Sequence, residues 1–308
     1  TALPDNPLAE ACVASLRAIG VDTRHVLKRS DGRLGLYFVE AGANQRPSQV
    51  VYDRDGSTIS RTGPDAYDWD HIFTDAGWLH ITGITPAISA AAAESTLAAA
   101  TAAKRRGLSV SCDLNFRKKL WKWRPGTSPQ ALAQETMREI LPHIDLVVAN
   151  EEDCNDVLGI RAADTDVHAG ELAVDRYPDV ARQLLQQFPN VSRIGITLRE
   201  SRSASHNNWG AMLFDSSRDE AYFAPLSDGH YEPYPIRNIV DRVGAGDAFA
   251  AGLIYRLITQ DVDSGADAVQ FAAAASCLAH SIVGDFNFST LNDIQALMTG
   301  STSGRVVR

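Results

Sequence analysis

The stretch Asn238–Ile258, "NIVDRVGAGDAFAAGLIYRLI", holds a short β-branched run, a glycine turn and an apolar pattern of helical length. That order puts the turn at the carboxyl end of a strand, the edge where open α/β sheets bind ligands. Gly244 and Gly246 let the backbone approach a guest, and the first free N–H groups of the helix favour an anion. Two phosphate-binding patterns are excluded: there is no G-x-x-x-x-G-K-[ST], and Phe249 stands where a dinucleotide fingerprint needs its third glycine. Asp247 is then the odd member, because a carboxylate beside a phosphate costs electrostatic energy unless it has a task. The task that fits is to take the proton of an attacking hydroxyl while the N–H groups of residues 244 to 247 hold the phosphoryl charge. The plainer alternative is a helix cap, a common use of aspartate.

Outward from this turn, short apolar runs alternate with helical patterns, the signature of parallel strands joined by crossover helices. "GWLHITGI" (77–84) leads into an alanine-rich helix over about 88–106, which ends on cations and Gly107 before the strand "LSVSCDL". A helix introduced by Ser128-Pro129, the strand "DLVVAN" (145–150), an acidic helix start "EEDCNDVL", a helix near 178–188 and the strand "RIGITL" (193–198) follow. "NNWGAMLFD" and "EAYFAP" predict a hairpin turning through "SSRD", "NIV" a short strand, and the C-terminal region three helices, over roughly 245–258, 266–281 and 291–298. Residues 33–60 differ in texture. There "RLGLYFVE" and "SQVVYDRDGSTIS" flank the Gly/Asn/Pro stretch "AGANQRP", which reads as a small β-element. The first element read in the chain is a helix over 8–19, closed by Gly20.

Composition bounds the partners. With 308 residues, 44% hydrophobic content and a net charge of −9, the chain can fill a sizeable core but lacks the positive surface that nucleic acid or an anionic membrane requires. Its four cysteines form no C-x-x-C pair and its eight histidines no H-E-x-x-H, so neither a disulfide framework nor a zinc site is implied, and a reduced cytoplasm is expected. No run of 18 uncharged apolar residues appears. The basic and aromatic "RKKLWKWR" (117–124) could suggest stacked nucleic-acid bases on Trp121 and Trp123, but in an acidic chain Lys118, Lys119 and Lys122 read as a solvated face or as a rim drawing in acidic substrates.

"DRVGAGDAFAAG" (241–252) resembles the C-terminal signature of the PfkB, or ribokinase-like, carbohydrate kinases, whose D-x-V-G-A-G-D-x-F motif forms an anion hole and supplies a catalytic base. The resemblance extends over essentially the whole chain. It implies a ribokinase-like three-layer α/β/α domain with a mostly parallel sheet, over residues 1–32 and 61–308, and a small β-rich lid over 33–60. It also implies ATP and magnesium as cofactors, with Asp247 as the base and Gly244, Ala245 and Gly246 as the anion hole. "VVANEED" resembles the family's N-x-x-E region, associated with magnesium and phosphate handling; Asn150 matches, and Asp153 replaces the glutamate. "GITLRES" is similar to the nucleotide-side strand, which puts Thr197 and Arg199 near ATP, and Asn115 joins the nucleotide-side candidates with Gly244 and Gly246.

The acceptor is read elsewhere. Tyr52 and Arg54, at i and i+2, project to one face of a strand, and Arg117 closes "DLNFR". Two guanidinium groups exceed the needs of a neutral sugar and suit an acidic one. On their own, Tyr37 and Tyr52 could be sheet aromatics, Arg54 an edge-strand charge and Asp285 a turn residue. Together "LGLYFVE", "QRPSQVVYDR", "SCDLNFR", "GITLRES" and "GDF" look most like the 2-keto-3-deoxygluconate kinase subgroup. That resemblance implies contacts of Tyr37, Tyr52, Arg54 and Arg117 with the ketodeoxy acid, Asp285 near its far end, phosphorylation of the terminal primary hydroxyl to the 6-phosphate, and a homo-oligomer. A fructokinase-like neutral-sugar kinase and a non-catalytic nucleotide or sugar sensor are the alternatives. Such kinases begin with a strand bearing a substrate-binding aspartate and a Gly-Gly turn; neither precedes "TALPDNPLAE", so a first βαβ portion is expected to be missing from the chain.

Overall fold

The computed structural model describes residues 1–150, 152–161, 173–259 and 265–300. The chain divides into two compact units. The first comprises Thr1–Glu40, Val50–Asp145 and Asp156–Leu158, and the second Ala41–Gln49, Leu146–Asn155 and Gly159–Arg308.

In the first unit the predicted N-terminal helix spans Pro7–Ala18, with Pro7 at its first position and the Asn6 side chain accepting from the Ala9 N–H at 3.0 Å. A strand precedes it, which the sequence reading did not see: Ala2–Pro4 pairs in parallel with Leu27–Arg29. Three residues, one of them proline, carry no period to detect. Trp78–Thr82 and Ser109–Asp113 form the expected parallel pair, joined through the helix Ala90–Arg105. Ser89 caps that helix on the Ala92 N–H at 3.0 Å, and Gly107, with φ +77°, follows its end. Ala92, Ala99, Ala100 and Ala103 are buried, so the alanine run forms a tightly packed face. The element at 33–60 is a two-stranded sheet of Leu36–Glu40 and Gln49–Asp53, and every residue of its first strand is exposed.

The second unit sets Leu146–Ala149 parallel to Arg193–Ser203, across the helix Tyr177–Gln187. The direction then reverses. His206–Asp215 runs antiparallel to Arg193–Ser203 through the two-residue turn Ala204-Ser205, and Glu220–Ala224 and Tyr234–Ile236 both pair antiparallel with it. The predicted strand "NIV" is not a strand; the last strand before the glycine turn is Tyr234–Ile236. The Ile239 N–H donates to Ser205 O (3.1 Å) and the Val240 N–H to His280 O (2.9 Å), so two separate segments take the donors a ladder would need.

The helix Ala245–Thr259 begins at the glycine turn and is seated by Phe249 and Leu253, both fully buried. They meet the sheet at Gly195: a Cβ there would lie 3.0 Å from Leu253 Cδ2 and 3.3 Å from Phe249 Cε1. On another side the helix packs on Gly265–Ala279 with near backbone contact, the Cβ position of Gly252 being 3.1 Å from Ala272 Cα. Leu291–Met298 closes the unit with a capping box of Thr290 and Asp293.

Candidate active site

In the second unit the turn is organised by Asp241. Its Oδ1 accepts from the N–H groups of Arg242 (2.7 Å) and Val243 (3.0 Å), and its Oδ2 from Gly284 (3.0 Å). Burial opposes the charge, but the three backbone donors outweigh it and hold the carboxyl below the usual aspartate range. Gly244 follows at φ +81°, and a Cβ on it would sit 2.5 Å from Asp285 O. Glycine is thus required twice here, for conformation and for space. The expected substrate-side residue Asp285 has its backbone against the turn and its side chain exposed.

The helix opens with Ala245, Gly246 and Asp247 in its first turn, and its first internal bond runs from Ala248 N to Gly244 O at 2.8 Å. N–H groups of this first turn have no partner within the helix. Gly246 and Asp247 are exposed, and among the described residues the Asp247 carboxylate has no hydrogen-bond or ion-pair partner. A cap would bond the N–H two or three residues on; this carboxylate caps nothing. It is an acceptor beside unpaired donors.

Thr197 and Arg199 share one face of Arg193–Ser203, Thr197 buried and Arg199 half-buried. Asn150 and Asp153 engage each other's backbone: Asn150 Oδ1 accepts from the N–H groups of Glu152 (2.8 Å) and Asp153 (2.9 Å), while Asp153 Oδ2 accepts from the Asn150 N–H (3.0 Å). The N-x-x-D spacing thereby closes a reciprocal pair of bonds at the start of the short helix Asp153–Leu158, whose N-cap residue Glu152 makes no side-chain cap bond. Glu151 of the same motif lies outside the described residues. No group of three or more His, Cys, Asp or Glu side chains placed to hold a metal occurs among the described residues.

The first unit gathers Tyr37, Tyr52, Arg54 and Arg117. Val50 and Tyr52 alternate onto the less exposed face of their strand, Arg54 continues that alternation one residue past its end, and the Arg54 guanidinium lies 5.5 Å from the Tyr52 ring centre and 5.6 Å from that of Tyr37. Burial lowers the guanidinium's pKa, the two tyrosines oppose that, and Arg117 adds to it. Arginine nevertheless stays charged. Arg54 borders two pockets, one of about 260 Å³ shared with Tyr52, Lys119 and Lys122, and one of about 150 Å³ shared with Gly35 and Thr85. Lys119 donates to Val50 O at 3.2 Å and Lys122 pairs with Asp55 at 3.0 Å, while Trp121 is fully buried and offers no stacking surface. Asn115, expected on the nucleotide side, belongs to this unit; it adopts φ +39° and donates from Nδ2 to Thr82 Oγ1 at 3.2 Å.

Residues 1–179 and 207–288 match the pfkB family carbohydrate kinase. The chain belongs to that family. A crystal structure of 2-dehydro-3-deoxygluconokinase from Thermotoga maritima is 39% identical, covers 97% of this chain and 84% of that one, and superposes with a TM-score of 0.85. A 2-dehydro-3-deoxygalactonokinase from Haloferax volcanii is 29% identical over 303 residues, 98% of this chain and 81% of the relative. A 2-dehydro-3-deoxygluconokinase from Thermoproteus tenax is 30% identical over 284 residues, 91% and 73% of the two chains. The fold of this pfkB-family kinase is the ribokinase-like α/β fold.

Two residues of the kinase escaped the sequence reading. Arg242, the variable position of D-x-V, turns its guanidinium onto the carbonyls of Ser203 and Ala204. His280 is buried against Trp209, with ring centres 4.8 Å apart, and its Nδ1 lies 2.9 Å from Ser276 O. Burial, chiefly, lowers its pKa below the ordinary histidine value. Neither sits in a spacing that announces it.

Proposed function

We propose that this carbohydrate kinase transfers the γ-phosphoryl group of ATP to the terminal primary hydroxyl of 2-keto-3-deoxygluconate, giving the 6-phosphate. The observation that carries the reading is the exposed carboxylate of Asp247, without a partner among the described residues, in the first turn of a helix opened by a glycine at positive φ. The hydroxyl oxygen forms a bond to phosphorus, its proton passes to Asp247, and the bond to ADP breaks. The N–H groups of Gly244, Ala245, Gly246 and Asp247 hold the charge of the moving group.

These residues suit a nucleotide phosphate, since N–H donors at a helix start are a natural anion site. Thr197 and Arg199 join the nucleotide side, with Asn150 and Asn115 in supporting roles. Magnesium, which usually keeps water and phosphate oxygens as ligands, would neutralise phosphate charge when bound.

Arg54 and Arg117 hold the carboxylate of the sugar acid, Tyr37 and Tyr52 flank it, and Asp285 serves its far end. Arg54 between two aromatic rings supports an acidic acceptor: a fixed planar cation recognises a carboxylate by two parallel hydrogen bonds. The element over 33–60 acts as the lid, and the compartment is reducing, in keeping with four free cysteines. A second reading, the galactonate epimer, has a specific basis in the Haloferax volcanii relative. An ADP-release assay across both ketodeoxy acids, fructose and ribose tests the proposal. Turnover of the gluconate-derived ketodeoxy acid well above both neutral sugars supports it, turnover confined to the galactonate epimer favours the second reading, and preference for a neutral sugar refutes both.

A further inference from the structure

The segment Ala41–Gln49, which links the two strands of the exposed β-element and includes the first residue of the second, clusters with the second unit, and its bonds show why. Asn44, at φ +52°, turns both its peptide groups onto the turn Ala204-Ser205: its carbonyl accepts from the Ala204 N–H at 2.7 Å and its N–H donates to Ser205 Oγ at 3.0 Å. Left-handed asparagine is tolerated where most side chains are not. The same turn is also held by Arg242. Its Nη2 donates to Ser203 O (2.8 Å) and Ala204 O (2.7 Å), its Nε to Ala204 O (3.1 Å), and its Nη1 to Asn207 Oδ1 (3.4 Å). Arg242 is itself fixed, because its own N–H is bound by Asp241, the residue that shapes the glycine turn.

We propose that Arg242 is a positioning residue that latches the Ala41–Gln49 connection, through the turn Ala204-Ser205, to the segment that shapes the phosphoryl-transfer turn. The chain of bonds runs Asn44, Ala204-Ser205, Arg242, Asp241. A charged donor shared between two carbonyls holds a turn more firmly than neutral donors do. The strands entering and leaving the connection carry Tyr37 and Tyr52, and Arg54 directly follows the second, so fastening their link restricts the positions these side chains sample. The kinetic consequence rests on the sugar-acid reading; the chain of bonds does not.

Two variants test the latch on the full chain. Arg242→Gln removes the forked cation, and Ser205→Ala removes only the acceptor for the Asn44 N–H, away from the glycine turn. Hydrogen exchange read by mass spectrometry on peptides spanning 41–49 is expected to quicken on the order of ten-fold in Arg242→Gln and by a smaller factor in Ser205→Ala, with the strand Ser109–Asp113 unchanged. In steady-state assays Ser205→Ala is expected to raise KM for the ketodeoxy acid several-fold, with kcat nearly constant. Unchanged exchange at 41–49 in Arg242→Gln overturns the proposal. So does faster exchange spread evenly over the second unit, the sign of a merely structural role. If the parent enzyme turns over no ketodeoxy acid, the functional reading fails while the exchange result still decides the latch.

Discussion

The carbonyl oxygen of Asp285 lies 2.5 Å from the point where Gly244 would carry a Cβ, so these two residues cannot both keep their places if the glycine acquires a side chain. Gly107 has nearly the same dihedral, φ +77° against +81°, yet nothing lies within 4 Å of its Cβ position. Gly107→Ala should therefore cost only the left-handed conformation, about 1–2 kcal/mol. Gly244→Ala should cost at least about 1 kcal/mol more through the collision. Denaturant melts of the two variants measure the difference, and equal losses would show that the loop at Asp285 yields freely.

Asp247→Asn keeps the size of the side chain and removes its basicity. The expected result is a fall in kcat of about 10²–10⁴-fold. Calorimetric affinity for the nucleotide should change by no more than a small factor, because the N–H donors remain. Near-normal turnover would take the base role away from Asp247.

Arg54→Lys preserves charge but loses the planar fork that lies near two tyrosine rings. KM for the sugar acid should rise roughly ten-fold, equivalent to about 1.4 kcal/mol, with a smaller change in kcat. A variant with unaltered KM would show that the guanidinium does not touch the acceptor.

His280 supplies a pH signature. Its folded-state pKa is lowered, so below the unfolded histidine value of about 6.5 the unfolded chain binds a proton that the folded chain resists. The stability tied to the neutral ring is complete above that value and is lost as pH falls toward the folded pKa. Denaturant melts from pH 7.5 to pH 5 should show a stability slope that flattens in His280→Gln. Identical slopes in the two proteins would mean that His280 does not titrate differently on folding.

Legibility followed the length over which each element repeats a pattern. The helix Ala90–Arg105 and the ladder of Arg193–Ser203 with His206–Asp215 are long enough for period and turn residues to speak. Ala2–Pro4 and Leu27–Arg29 are too short, and "NIV" reads as β-branched although its donors go to Ser205 and His280, partners the local sequence does not reveal. Tyr52 and Arg54 were readable as a pair because two-residue spacing alone puts them on one face. The grip of Arg242 on Ser203 and Ala204 depends on backbone carbonyls 38 and 39 residues away, which no local pattern encodes. Asn150 and Asp153 were legible as a motif, yet the spacing concealed that part of their hydrogen-bonding capacity is spent on each other's backbone.

Gly195 gives the molecule a depth gauge. The helix bearing Asp247 sinks onto its strand only as far as Leu253 and Phe249 permit, and they descend into room left by a missing methyl group. A side chain at 195 would already meet Leu253 Cδ2 at 3.0 Å and Phe249 Cε1 at 3.3 Å with its first carbon, so these two anchors would have to give way, and the seating of the helix that carries Asp247 depends on whether they can.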